Sequence, residues 1–486
     1  MSRRSGQRIS ECVRCRRLEI RNRSLIRQMR EMRSRLQKEQ ALRVAAERHV
    51  RDLEERLRVN STNSSLPPSA NPKGAPRPAG KKPTGRRRGG QIGHKGHGRK
   101  LIPVQEVDEV VVHKPAVCEH CQKSLEGVAG EVVGRHQVAE LPVRAVVITE
   151  HQSMACRCGA CGTVSRGVIP EQLRASVAGP RLSAAIGLLG GFVHGSRRAI
   201  REVVAEVLGC PIGLGSISAR ERELSDALES AYAEVAEEVS AARVKYVDET
   251  GWGCKGADRW LFAAATKAAA VFRIEKHRTR PSLKKLLRGK LRGVFCTDRF
   301  SIYDVIPPAR HGICWAHLKR DFVRCLERGG ASEKIGQEGI DICRAVFDLW
   351  HAFRDKRITR AQLGVKVEPV RRKMRELLER GKASGVAKTS GLCGKLLRRE
   401  QTLWNWAKIP GLEPTNNLAE RVLRPAVIWR KKSFGSDSVG GCVFVERMLS
   451  VIQTVRLRKQ NVLNYLTAAV TAHRQGEAIP AIGPSG

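Results

Sequence analysis

Long apolar runs are missing from this 486-residue chain, and with them any segment able to span a bilayer. No secretory signal pattern opens it, so a soluble, cytoplasmic protein with no membrane partner is expected. Acid is scarce too: 48 Asp and Glu stand against 89 Lys and Arg, giving a formal charge of +41 spread through most of the chain. Such a field attracts polyanions and makes phosphate binding salt-dependent, without saying which activity accompanies it. The fifteen cysteines are odd in number and scattered, which argues against a disulfide framework and favours reduced thiols, some of them binding metal. At roughly 150 residues per domain, the length allows about three domains.

A basic segment, residues 1–17, precedes a heptad pattern over 18–60. Leu18, Leu25, Met32, Ala46 and Leu53 form one seam, with Met29, Leu36, Val50 and Leu57 beside it; Asn22, Glu39 and Arg43 interrupt it. The pattern predicts a coiled coil that pairs two chains; the alternative is one amphipathic helix docked on its own protein. Residues 61–102 are rich in Pro, Gly, Ser and Lys/Arg and read as a flexible basic linker. Residues 103–170 alternate like short strands ("VDEVVVH", "RAVVITEHQ"), and 171–242 turn helical. A helix-turn-helix is expected within the helical part, with Ser216 capping its second helix. Residues 243–314 read as three strands, a short helix and a fourth strand, 315–406 as mostly helical, 407–473 as further helices, and 474–486 as a disordered tail.

Cys118-x2-Cys121 and Cys158-x2-Cys161 supply four thiolates for a structural zinc, as in a zinc ribbon, with Cys156 as a possible substitute for Cys158. Zinc would also explain how a segment with few aromatics holds a fold. Cys12-x2-Cys15 has no assignment. Asp248 ends the apolar strand "KYVDETGW" and Asp298 ends "GVFCTDRFS". If those strands are neighbours, the two acids meet, which is unfavourable without a cation. Mg²⁺ (or Mn²⁺) suits such oxygen ligands, and a third carboxylate would allow two ions for phosphoryl transfer. Glu420 fits, in the first turn of a helix capped by Asn416 or Asn417; Glu446 competes.

The stretches "VDET", "TDRFSIY", "CWAHLKRDF" and "TNNLAERVLRPAVIWRKKSFGS", in that order, resemble the IS66 family of insertion-sequence transposases. "NSSLPPSANP", "GGQIGHKGHGR" and "VERMLSVIQTVRLRKQNVLNYL" extend the resemblance over residues 60–470. It implies a multidomain α/β chain in which an RNase H-like catalytic domain, interrupted by the helical insertion, carries a DDE triad matching Asp248, Asp298 and Glu420. It favours Glu420 over Glu446. Cys314 and His317 resemble a Cys-x2-His element, read here as packing. Transposon-end and target DNA are the implied partners, with two small accessory proteins encoded beside such elements. Pro425 should bend the chain after Glu420, leaving Arg421, Arg424, Arg430, Lys431 and Lys432 to meet phosphates. The rival readings are a non-catalytic DNA-binding protein derived from a transposase, and an RNase H-like nuclease that cuts without joining.

Overall fold

The computed structural model describes residues 13–64, 71, 101–142, 145–174 and 176–484. Most of the expected linker and Cys12 lie outside them. The helices are α1 (Val13–Leu57), α2 (Glu171–Arg174), α3 (Pro180–Gly191), α4 (Arg197–Glu206), α5 (Leu214–Ala227), α6 (Glu229–Ala241), α7 (Arg280–Leu286), α8 (Trp315–Arg328), α9 (Ala331–Arg354), α10 (Arg360–Lys382), α11 (Ala387–Arg398), α12 (Gln401–Lys408), α13 (Asn417–Ser433), α14 (Val439–Leu457) and α15 (Val462–Gln475). The strands are β1 (Ala155–Arg157), β2 (Val164–Arg166), β3 (Val244–Cys254), β4 (Ala257–Ala265), β5 (Ala270–Glu275), β6 (Val294–Thr297) and β7 (His311–Ile313). The chain is thus mixed α/β, with a long N-terminal helix and a central sheet. It divides into two compact units, one joining 1–78 to 307–415, the other joining 79–306 to 416–486.

In the first unit, α8 to α11 bury Phe322, Cys325, Val346, Met374, Leu377 and Leu396. Gly339 lets α9 close on α8, because a Cβ there would collide with the Phe322 ring. The C-terminal end of α1 docks on this bundle. Arg328 pairs with Glu55 at 2.8 Å, and Lys388 reaches both Asp52 and Glu55 at 2.8 Å. The expected linker does not begin at residue 61: Asn60 and Asn63 are buried, the Asn60 amide donates to Asn63 Oδ1 at 2.9 Å, and Asn63 Nδ2 donates to Glu327. Buried amide side chains with paired donors order a segment whose composition alone reads as flexible.

In the second unit the strands run in the order β5-β4-β3-β6, with β3 antiparallel to β4 and parallel to β6. Two features fix where β3 and β6 start. Lys245, fully buried, donates to the carbonyls of Ser240, Ala242 and Arg292 at 2.9, 2.6 and 2.8 Å, which satisfies its charge. Gly293 passes so near β3 that a Cβ would lie 2.7 Å from the Ala242 and Arg243 carbonyl oxygens, and its φ of 77° suits glycine. At the outer strand β5, the amides of Ala270, Phe272 and Ile274 donate to Thr454 Oγ1, Ser450 Oγ and Glu446 Oε1 of α14 at 3.1, 2.9 and 2.7 Å. A four-residue helical repeat thereby matches a two-residue strand repeat and occupies donors that an edge strand would otherwise expose.

Several expectations need correction. Among the described residues, "VDEVVVH" and "RAVVITEHQ" form no strands; Val112 and Val147 are 79% and 92% exposed. Alternation prepares a chain for pairing, but residues 103–170 contain no Phe, Trp or Tyr with which to build a core. The helix after residue 213 starts at Leu214 with Gly213 at its cap, so Ser216 lies inside it. The tail is ordered to residue 484: Ile482 is buried, and Tyr465 Oη donates to the Pro480 carbonyl at 3.0 Å. Among the described residues no helix is long and apolar enough to cross a membrane.

Candidate active site

The register of β3 with β6 pairs Val244 with Val294 and Tyr246 with Cys296. Continued two residues, past the end of β6, that register would bring Asp298 level with Asp248; Asp248 does not end its strand as expected but lies within β3, which runs on to Cys254, and both acids are half-buried. Asp298 Oδ1 accepts from the Phe300 amide at 2.9 Å, and Asp248 Oδ1 from the Glu249 amide at 3.0 Å, so each carboxylate is held by main chain.

Behind them lies a group that the sequence did not single out. The Glu249 carboxylate is buried; it accepts from Arg278 Nε at 2.7 Å and from the Tyr303 hydroxyl. The Arg278 guanidinium lies 3.5 Å from the centre of the Phe300 ring and 4.8 Å from that of Trp260. Burial, then the charge of Asp298, pushes the Glu249 carboxyl above its usual range even though Arg278 and Tyr303 oppose this. Burial, followed by the charges of Glu249, Asp298 and Asp248, raises the Tyr303 hydroxyl well above its ordinary value. The negative potential of all three acids therefore converges on one buried phenol. Acids following two apolar strand segments were visible in sequence; the Arg278 and Tyr303 contacts are long-range and left no local pattern.

The stretch 415–436 is fastened to β3 at successive points. Asn416, fully buried, donates from Nδ2 to the Val247 carbonyl at 2.9 Å. It stands at the helix cap position, but its side chain makes no cap hydrogen bond: the expected cap is a tertiary clamp. Glu420 follows in the first turn of α13, half-buried, where the helix dipole favours an anion. Val422, Leu423, Ala426 and Trp429 are buried on the helix, which continues through Pro425 to Ser433. Arg430 Nη1 donates to Thr250 Oγ1 at 3.0 Å and to the Gly251 carbonyl at 2.7 Å. Ser436 then exchanges main-chain hydrogen bonds with Gly253 and Lys255 at 2.9 and 3.0 Å.

Of the five bases expected to meet phosphate, Arg430 is committed to β3. Arg421, Arg424, Lys431 and Lys432 are exposed. Phe434, at the α13 C-terminus, holds its ring 86% exposed beside them. Glu446, the rival third acid, is occupied by the Ile274 amide, and burial pushes its carboxyl up to about 7.

The cysteine pairs fold into two turns of one design. In each, the amide of the first cysteine (118, 158) donates to a carbonyl five residues on (Lys123, Thr163), and the amide four residues on (Gln122, Gly162) donates back. Cys158, not Cys156, occupies the position equivalent to Cys118; Cys156 pairs with Ser165 between β1 and β2. Main-chain donors from Cys121 and His120 hold the Cys118 thiol low, and a hydrogen bond with the Thr163 hydroxyl, 3.3 Å away, does so for Cys161. No three of these sulfurs lie within 4.8 Å of one another. The turns are formed, and the pairs are not brought together. Elsewhere, in the first unit, Cys314 Sγ lies within 4.8 Å of a His317 ring nitrogen, one helical turn on, and is fully buried.

Comparison with known proteins adds two family matches. The Transposase IS66 family matches residues 177–443, which include β3, β6 and α13, and a family of unknown function, DUF6444, matches residues 14–100. A protein of Sinorhizobium fredii (strain NBRC 101917 / NGR234), described as uncharacterized protein y4qI, is 27% identical over 243 residues. That match covers 45% of this chain and 44% of the relative, so less than half of either length is shared.

Proposed function

The chain belongs to the IS66 transposase family, whose members act on DNA, and from that premise we propose that it is a DDE transposase with Asp248, Asp298 and Glu420 as its acidic triad. The observation that supports this reading is the parallel β3–β6 register, which, continued past β6, would bring Asp298 level with Asp248 of β3. The donor set suits Mg²⁺ or Mn²⁺: hard carboxylate oxygens, whose charges add to burial in raising Tyr303. Two such ions, when bound, would activate water or a 3′-hydroxyl and neutralise charge on the phosphate. The chain's own residues do the positioning. Asn416 and Arg430 fasten the Glu420 helix to β3, the Glu249–Arg278–Tyr303 group fixes the segment after Asp298, and the exposed bases of α13 hold the DNA backbone.

On this reading the second unit's sheet is RNase H-like, with residues 315–406 as the helical insertion. Cleavage at the terminal inverted repeats precedes 3′-hydroxyl attack on target DNA. Cys118, Cys121, Cys158 and Cys161 of the two turns would supply the thiolates for one structural Zn²⁺, as in a zinc ribbon. The packed pair α4 and α5 is a helix-turn-helix reader of ends. α1 pairs two copies, two small accessory proteins join the complex, and the protein works on bacterial nucleoid DNA in the cytoplasm.

The test is incubation with DNA carrying the element's ends and Mg²⁺. Cleaved and joined products support the proposal. Cleavage without joining would favour the nuclease reading, and binding without cleavage the non-catalytic one.

A further inference from the structure

α1 docks on the first unit through Asp52 and Glu55. In the heptad pattern both lie opposite the apolar seam. Leu25, Met29, Met32, Leu36, Val50, Leu53 and Leu57 consequently remain between 41% and 77% exposed. Docking and pairing therefore use different faces of one helix. What the seam accepts is decided by its two central charges, Glu39 and Arg43.

In a parallel, in-register pair each core residue meets its own copy, so Glu39 would face Glu39 and Arg43 would face Arg43. Like charges in a core layer are unfavourable. In an antiparallel pair the two core positions face each other across the seam. Setting Glu39 against the partner's Arg43 then brings Leu36 onto the partner's Ala46, Met32 onto the partner's Val50, Met29 onto the partner's Leu53 and Leu25 onto the partner's Leu57. Between Leu25 and Leu57 every other layer is apolar. A shift of one heptad destroys this match, placing Arg43 on Met32 or Ala46 and Glu39 on Leu36 or Val50. At the flanks, Arg33 falls near the partner's Glu47, and Leu42, 70% exposed, meets its own copy near the axis.

We propose that α1 binds α1 of a second copy of this chain in antiparallel orientation, about a two-fold axis at the height of Ala41, with Glu39 and Arg43 forming reciprocal ion pairs at its centre. This rests on the helix pairing proposed above and adds its direction. At 1.5 Å rise per residue, the two Glu55 anchors stand about 42 Å apart along the helix pair, at opposite ends. The pairing site is thus also a spacer between the two copies' docked bundles.

The test uses the full chain. A photo-crosslinking residue, p-benzoylphenylalanine, replaces Leu25, and the crosslinked peptide is mapped by mass spectrometry. Crosslinks to the partner's segment around Leu57 support the proposal; crosslinks between two Leu25 positions overturn the orientation while leaving pairing intact. A chain that sediments as a monomer at micromolar concentration overturns both. Glu39→Leu supplies a second readout. It leaves Arg43 in an antiparallel core with only Glu47 of its own helix, 3.1 Å away, as a partner, so the dimer should dissociate about tenfold or more readily. In a parallel pair the same change removes a repulsion, and a strengthened dimer would overturn the proposal.

Discussion

Asn416 Nδ2 donates to the carbonyl of Val247 at 2.9 Å, joining the first residue before α13 to the residue before Asp248. A single buried amide thereby couples the helix that carries Glu420 to the strand that carries the first aspartate. Asn416→Leu leaves that carbonyl without its donor, which costs about 1–3 kcal/mol. Thermal unfolding should register the loss, and end cleavage should fall further than stability alone explains. A variant with normal stability and normal cleavage would mean that the clamp positions nothing.

Arg278→Ala should be among the most damaging changes near the site, because it leaves the Glu249 carboxylate buried without its cation. A destabilisation of about 3–5 kcal/mol is expected by denaturant titration. Adding Glu249→Gln should recover a large part of it, since the stranded charge is then gone. Absence of recovery would show that the aromatic contacts of Arg278, rather than its ion pair, matter.

The Glu446 carboxyl, raised by burial from 4.5 to about 7, makes stability depend on pH. The folded state binds the proton more tightly than the unfolded state does, so its contribution is complete below about pH 4.5 and is lost as pH rises through 7. Glu446→Gln keeps an acceptor for the Ile274 amide and cannot ionise. Its melting temperature should lack this decline, exceeding that of the natural protein at pH 8 and approaching it at pH 5. Parallel curves across that range would contradict the assignment.

The bases of α13 should separate into two kinds. Arg421→Ala and Arg424→Ala should each lower the salt slope of DNA binding by about 1 with unchanged melting. Arg430→Ala should lower the melting temperature instead, because its hydrogen bonds go to Thr250 and Gly251. Phe434→Ala should weaken single-stranded end DNA more than duplex if the exposed ring stacks on a base.

Native mass spectrometry should find one zinc per chain, absent after Cys118→Ser or Cys158→Ser and retained after Cys156→Ser. Retention in Cys158→Ser would assign the ligand role to its neighbour.

How far these features were legible in sequence depended on range. Asp248 and Asp298 could be paired because each follows an apolar strand segment, which is visible locally, although β3 runs on past Asp248 to Cys254. The β5 amides satisfied by Thr454, Ser450 and Glu446 were not, although their four-residue spacing on α14 is regular, because nothing in the helix names the strand it covers. Asn416 was expected to cap its own helix; a buried carbonyl from 169 residues earlier in the chain claimed it instead. The strands expected in residues 103–170 failed for the converse reason: local alternation was present, and a core to pair against was not.

The central claim is that Glu420 completes the pair formed by Asp248 and Asp298. Single-turnover cleavage of end DNA with Mg²⁺ tests it most directly in Glu420→Gln and Glu446→Gln proteins, both first shown to bind the DNA. Loss of cleavage by about a hundredfold or more in Glu420→Gln, with Glu446→Gln near the natural rate, is predicted. Full activity in Glu420→Gln, or loss confined to Glu446→Gln, would contradict it.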